Sequence, residues 1–275
     1  MKCELPGGTI HYEERGEGRP LVLLHGMTLD HRIMVGSFEP ILEQRTGWRR
    51  IYPDLPGMGR TGAINGVTSQ DQVLDLVLAF VDRVIGAGSF CVGGLSYGGL
   101  LAQGIAHRHP ERLDGLLLVV TSMGILGEYD LPEARVLIEE PLDATGVEAG
   151  ELAAFNRMAV VRTRAHLERW KEEILPPGRM IDRTFLTRLR RRYRFSFDLT
   201  RLPTPFEKPT LFLLGRQDTT CGYRDAWRTL ENYPRATFAV LDGAGHCLSY
   251  EQPKLFASLV DEWLDRVEAA LRLRS

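Results

Sequence analysis

The sequence predicts an α/β fold, with a mostly parallel, twisted sheet covered by helices on both faces. Three observations carry that expectation. Short apolar runs recur along the 275 residues and alternate with helical patterns, as parallel strands joined by crossover helices do. The run Leu116-Leu117-Leu118-Val119-Val120 is continuously apolar, which suits a strand buried on both faces. The alternation stops after Val120 and resumes at Thr210, so one long segment stands outside the sheet pattern.

Taken in order, the strands are expected near Thr9–Glu14, Leu21–Leu24, Arg50–Pro53, Phe90–Gly93, Leu116–Val120, Thr210–Leu214 and Thr237–Leu241, each bounded by turn residues. The clearest helix is Gln70 to Ile85, where Val73, Leu76, Val77, Phe80, Val81 and Val84 recur at helical spacing. Ser69 followed by Gln72 offers it a capping box. Leu100 to Arg108 reads as a second helix. Pro253 to Leu271 reads as the last, with Phe256, Leu259, Val260, Trp263, Leu264 and Val267 on one stripe. The remaining segment is helix-prone and rich in arginine, and Pro203, Pro205 and Pro209 punctuate its end. It is expected to be a helical cap, residues 124–205, inserted into a core built from 1–123 and 206–275.

Composition excludes several classes of function. Apolar residues are 44% and charged residues 25%, the ordinary soluble range. The formal charge is −2, so no global field calls for nucleic acid or a membrane surface. The opening MKCELPGGTI has no apolar stretch of roughly seven residues, and no run approaches a membrane span of roughly eighteen. A cytoplasmic protein is expected. Cys3, Cys91, Cys221 and Cys247 are widely spaced, which fits buried thiols in a reducing compartment better than a disulfide framework.

The chemistry is concentrated at Gly94-Leu95-Ser96-Tyr97-Gly98. The pentapeptide follows the apolar run Phe90-Cys91-Val92 and opens a helical segment. A strand turning at once into a helix forces Ser96 into a strained backbone region, and a Cβ at either flanking glycine would collide across the turn. A serine hydroxyl needs a base within hydrogen-bond reach, and the base needs an orienting acid. His246 and Asp218 each follow a predicted strand, and ligands gather at the carboxyl ends of strands in open α/β sheets. Asp242 competes for the acid's role, but it shares a turn with His246 and cannot easily approach the far ring nitrogen.

With these residues in view, the chain resembles the α/β-hydrolase superfamily, specifically its capped single-domain serine hydrolases. The matching pieces are His25-Gly26, Asp54-Leu55-Pro56-Gly57-Met58-Gly59, Gly94-Leu95-Ser96-Tyr97-Gly98-Gly99, Gly215-Arg216-Gln217-Asp218 and Gly243-Ala244-Gly245-His246. Five pieces in the correct order make the resemblance specific. It implies Ser96 as nucleophile, His246 as base and Asp218 as orienting acid. It also implies an oxyanion hole from the backbone N–H groups of Met27 and Tyr97. The reaction it implies is cleavage of a carboxylic ester, or a similar small acyl substrate, through an acyl-enzyme. No cofactor and no metal are called for. His25, Gly26 and the Asp54 loop read as structural elements that shape the site.

Alternatives share the fold. A carbon–carbon bond hydrolase usually has asparagine where Leu95 stands, and a proline iminopeptidase usually has tryptophan where Tyr97 stands, although Glu139 and Glu140 could hold an amine. Dehalogenases and epoxide hydrolases need aspartate at position 96. A ligand receptor with little turnover is the reading from another class. His31 follows the oxyanion turn and is expected to line the entrance. Between Arg179 and Arg201 the insertion holds eight arginines against Asp182 and Asp198. Such a run reads first as a solvated helix face, with Glu172 and Glu173 available for pairing. The functional alternative is an anion clamp, with Arg191 and Arg192 as the substrate contacts.

Overall fold

The computed structural model describes residues 1–124 and 129–273. An eight-stranded sheet runs in the order β1 (Lys2–Leu5), β2 (Gly8–Arg15), β4 (Trp48–Pro53), β3 (Arg19–Leu24), β5 (Phe90–Leu95), β6 (Leu113–Val119), β9 (Thr210–Gly215) and β10 (Ala236–Leu241). From β4 to β10 every neighbouring pair is parallel. Among the described strands of this sheet, β1 pairs antiparallel with β2, and β2 with β4, as a hairpin edge. All seven expected strands are present, and most extend one or more residues beyond the expected bounds. Lys2–Leu5 was not expected, because its alternation is too short to read without a partner.

Each central strand feeds two cores. Val22 and Leu24, Leu116 and Leu118, and Phe212 and Leu214 pack on one face, against α2 (Gln70–Ile85) and α3 (Tyr97–Arg108). Leu21 and Leu23, Leu117 and Val119, and Leu211 and Leu213 pack on the other, against α1 (His31–Leu42) and α10 (Pro253–Arg272). Side chains alternate across a strand, so a strand sandwiched between helices must be apolar at every position. The sequence of α1 carries Gly36 and Pro40, both poor helix residues. Tertiary burial decides the outcome: Asp30 caps the helix by accepting the Arg32 N–H, and Ile33, Met34, Phe38 and Leu42 are buried.

Between β6 and β9 the chain leaves the sheet. The excursion comprises β7 (Ile138–Glu139), α4 (Ala149–Met158), β8 (Val161–Arg162), α5 (Arg164–Glu173), α6 (Leu175–Arg179) and α7 (Arg183–Arg190). A small parallel ladder between β7 and β8 accompanies the expected helices. Of the expected 124–205 insertion, residues 125–128 lie outside the described residues, as do 274–275 of the core. Two short helices, α8 (Arg224–Trp227) and α9 (Leu248–Glu251), complete the fold. Among the described residues no helix is long and apolar enough to cross a membrane.

Candidate active site

The turn between β5 and α3 has the geometry its glycines require. Ser96 sits at φ 54°, ψ −109°, a left-handed conformation that costs a residue with a Cβ about 1–3 kcal/mol. A Cβ on Gly94 would lie 2.2 Å from the Gly98 carbonyl oxygen. A Cβ on Gly98 would lie 2.0 Å from the Leu24 carbonyl oxygen. Both obstacles are backbone and cannot move aside, so only glycine fits at either place. The turn is pinned from below by hydrogen bonds from the Ser96 N–H to the Val119 carbonyl (2.9 Å) and from the Ser122 N–H to the Ser96 carbonyl (3.1 Å).

Three strand ends bring three distant side chains into one line. The His246 Nε2 is 3.0 Å from the Ser96 Oγ, and its Nδ1 is 3.0 Å from the Asp218 Oδ2. Asp218 is fully buried, and its other oxygen accepts the N–H groups of Thr220 (2.7 Å) and Cys221 (3.1 Å). A carboxylate held that way presents an acceptor to Nδ1. Nδ1 therefore carries the ring proton, and Nε2 is free to accept from the serine hydroxyl. Asp242 lies in a different contact, accepting from the Gln217 Nε2 at 2.7 Å. The histidine loop is tied down by Glu251, a residue that sequence reasoning passed over. Its carboxylate accepts from the N–H of Gly245 (2.6 Å) and of Val160 (2.7 Å).

The opposite wall is the loop after β3. His25 is fully buried, and burial pushes its pKa down, keeping the ring neutral. Nδ1–H donates to the Gly26 carbonyl at 2.8 Å, while Nε2 accepts the Leu55 N–H at 2.9 Å. Those bonds fix the loop that carries Met27, and Thr28 follows at φ 66°. Tyr97 is the first residue of α3, and its N–H belongs to the first-turn donors that have no acceptor inside a helix. Its phenol points away into the core and donates to the Gln70 Oε1 at 2.6 Å.

Gly26, Met27, Leu95, Ser96 and His246 border a cavity of about 750 Å³, lined on its far side by residues of α4, α6 and α7 of the excursion. The cationic residues lining it are Arg157, Arg179, Arg183 and Arg190. Arg191 and Arg192, expected as the substrate contacts, are exposed and lie outside the lining. The reason is helical phase: α7 ends at Arg190, and the chain turns away there. Arg190, one position earlier in the same run, does line the cavity.

His31 is likewise not part of the cavity lining. It begins α1 and bonds through Nδ1 to the Asp54 Oδ1 at 2.7 Å. Burial is the largest influence and would lower its pKa, but the hydrogen bond and charge of Asp54, with the charges of Asp30 and Glu13, together raise it. Asp54 also accepts from the Arg60 N–H, which makes its loop a braced turn. Cys247 lines the cavity and Cys221 sits beside the triad; both thiols are buried, and burial pushes each pKa well up. They are protonated walls. Glu139 and Glu140 face away, bonded to Arg162 and to the Arg164 N–H.

Comparison with known proteins agrees with this architecture. The sequence profile of the alpha/beta hydrolase family matches residues 21–259. A pimeloyl-(acyl-carrier protein) methyl ester esterase of Legionella pneumophila (strain Paris) is 23% identical over 258 residues, covering 93% of this chain and 99% of the relative. The enzyme of the same name from Nitrosomonas europaea is 28% identical over 264 residues, covering 92% and 98%. An alpha/beta superfamily hydrolase from Oenococcus oeni PSU-1 superposes with a TM-score of 0.90 at 26% identity, covering 98% of this chain and 99% of that one. With that profile spanning most of the chain, the protein belongs to the alpha/beta hydrolase family.

Proposed function

We propose that the protein is a serine hydrolase that cleaves carboxylic esters through an acyl-enzyme. The observation that carries this reading is the continuous relay from Ser96 through His246 to Asp218, at 3.0 Å for each link. Ser96 Oγ attacks the ester carbonyl carbon as His246 Nε2 takes the hydroxyl proton, and the carbonyl π electrons move to oxygen. That oxyanion rests on the Met27 and Tyr97 N–H groups, the second at a helix N-terminus, where negative charge is favoured. The imidazolium, steadied by Asp218, gives its proton to the departing alkoxide as the C–O bond breaks. Water then repeats the sequence on the acyl-enzyme and returns Ser96 to its alcohol.

The excursion acts as a cap in this reading, since residues of α4, α6 and α7 line the cavity that holds the serine. The esterase names of several relatives support ester chemistry over cleavage of a carbon–carbon bond. The acyl group is small enough to enter about 750 Å³.

A fluorophosphonate tests the proposal directly. Mass spectrometry should find one stoichiometric adduct, located on Ser96, and Ser96→Ala should lose both the adduct and turnover of nitrophenyl butyrate. An unmodified protein would instead support a binding module on the same fold.

A further inference from the structure

The cavity above Ser96 is chemically two-sided. Leu29, Ile33 and Leu95 give its core wall an apolar character, while the excursion contributes Arg157 from α4, Arg179 from α6, and Arg183 and Arg190 from α7. These four arginines face only two acids in the same lining, Glu148 and Glu151. One arginine is spoken for: Arg179 grips Glu151 in a two-pronged pair at 2.7 and 2.8 Å. Among the described residues no carboxylate partners Arg157, Arg183 or Arg190. Arg183 and Arg190 are seven residues apart on one helix. They therefore share a face, about 10 Å apart along the axis. Arg157, Arg183 and Arg190 all line the cavity while exposed to solvent, so their heads are free to meet an anion against its partly apolar wall. A guanidinium fork matches carboxylate or phosphate oxygens.

We propose that the preferred substrate is an ester whose acyl chain ends in an anion, carboxylate or phosphate. Arg183 and Arg190, with Arg157 beside them, hold the anionic end while the carbonyl lies at Ser96. This rests on the hydrolase reading above and narrows its substrate class. The charge needed is local, which is why a chain of net charge −2 carries it without any global basic field.

The test compares nitrophenyl hydrogen suberate with nitrophenyl octanoate, which match in length and differ in one terminal charge. The native enzyme should favour the charged ester in kcat/KM by roughly 10- to 100-fold, as charge-assisted hydrogen bonds allow. Most of that preference should lie in KM and shrink as salt is added. The double variant Arg183→Gln/Arg190→Gln should lower the ratio at least tenfold, and Arg191→Gln/Arg192→Gln should keep it. Because both esters meet the same preparation, the ratio is insensitive to partial unfolding. A phosphonate-tailed analogue separates the two anions; a preference for either one upholds the clamp. A native ratio near one, or a ratio unmoved in the double variant, overturns it. If neither ester is cleaved, the hydrolase reading fails separately, and calorimetry with suberate against octanediol still decides the clamp. Saturable binding of the diacid that the double variant loses upholds it, and no binding overturns it.

Discussion

The Glu251 carboxylate accepts the Gly245 N–H at 2.6 Å, one residue before His246. Its other oxygen accepts the N–H groups of Val160 (2.7 Å) and Val161 (3.3 Å) in the excursion. One buried side chain therefore ties the histidine loop to the segment that lines the cavity. Glutamine at this position has a single acceptor oxygen, so its amide nitrogen would face a backbone donor. Glu251→Gln should lower stability by roughly 1–3 kcal/mol. It should also reduce kcat more than it raises KM, because His246 loses its fixed approach to Ser96. A lowered Tm with an unaltered kcat would show that the tether acts on the fold alone.

Asp218→Asn is expected to lower kcat on the order of 10⁴-fold. The amide nitrogen would donate to Nδ1 and drive the ring proton to Nε2, which then faces the serine hydroxyl with a hydrogen instead of a lone pair. Asp242→Asn, in contact with Gln217, should leave kcat within a few-fold of native, and a large loss there would reassign the acid.

Gly98→Ala places a methyl group 2.0 Å from the Leu24 carbonyl oxygen and 2.8 Å from that of His25. Either the β5–α3 turn or the loop carrying Met27 must then shift. A stability loss of about 3 kcal/mol or more is expected, together with loss of the fluorophosphonate adduct. Gly88→Ala, which meets nothing within 4 Å, is the control and should melt close to native. Equal melting of the two variants would contradict the crowding argument.

Acid should loosen the excursion through His166. Burial pushes its pKa down from 6.5 to about 4, among Phe155, Trp170 and Tyr250. As the pH falls through 6.5, the unfolded chain gains a proton that the folded ring refuses until about 4. Stability present above pH 6.5 is thus lost on acidification, by roughly 2 kcal/mol at pH 5. His166→Phe removes the titrating group and should flatten the change in Tm between pH 7 and pH 5. The same slope in both proteins would sink this account.

The sheet was legible because parallel strands buried on both faces have to be apolar at consecutive positions, and Leu116–Val119 and Leu211–Leu214 are. The serine turn was legible because steric crowding leaves glycine no substitute at Gly94 and Gly98. Helix α1 was hidden by its own composition, since Gly36 and Pro40 weaken the local signal that packing later restores. The cavity arginines were hidden for a different reason. Phe185, Leu186 and Leu189 set the rotation of α7, but the helix ends at Arg190, and a run of arginines carries no signal for that end. His31 follows the oxyanion loop in sequence, yet its bond to Asp54 points it elsewhere.

The backbone torsion at Ser96 also bears on heat resistance. Glycine accepts φ 54°, ψ −109° freely, whereas any Cβ there is crowded. Replacing the serine by glycine or by alanine abolishes the hydroxyl equally, so the two variants differ mainly in that crowding. Ser96→Gly should melt above Ser96→Ala, the reverse of the order seen in ordinary helices. On the proposed reading of Ser96 as nucleophile, the native protein would carry a weak point in its own architecture at its reactive residue, and thermal robustness is what it would forgo.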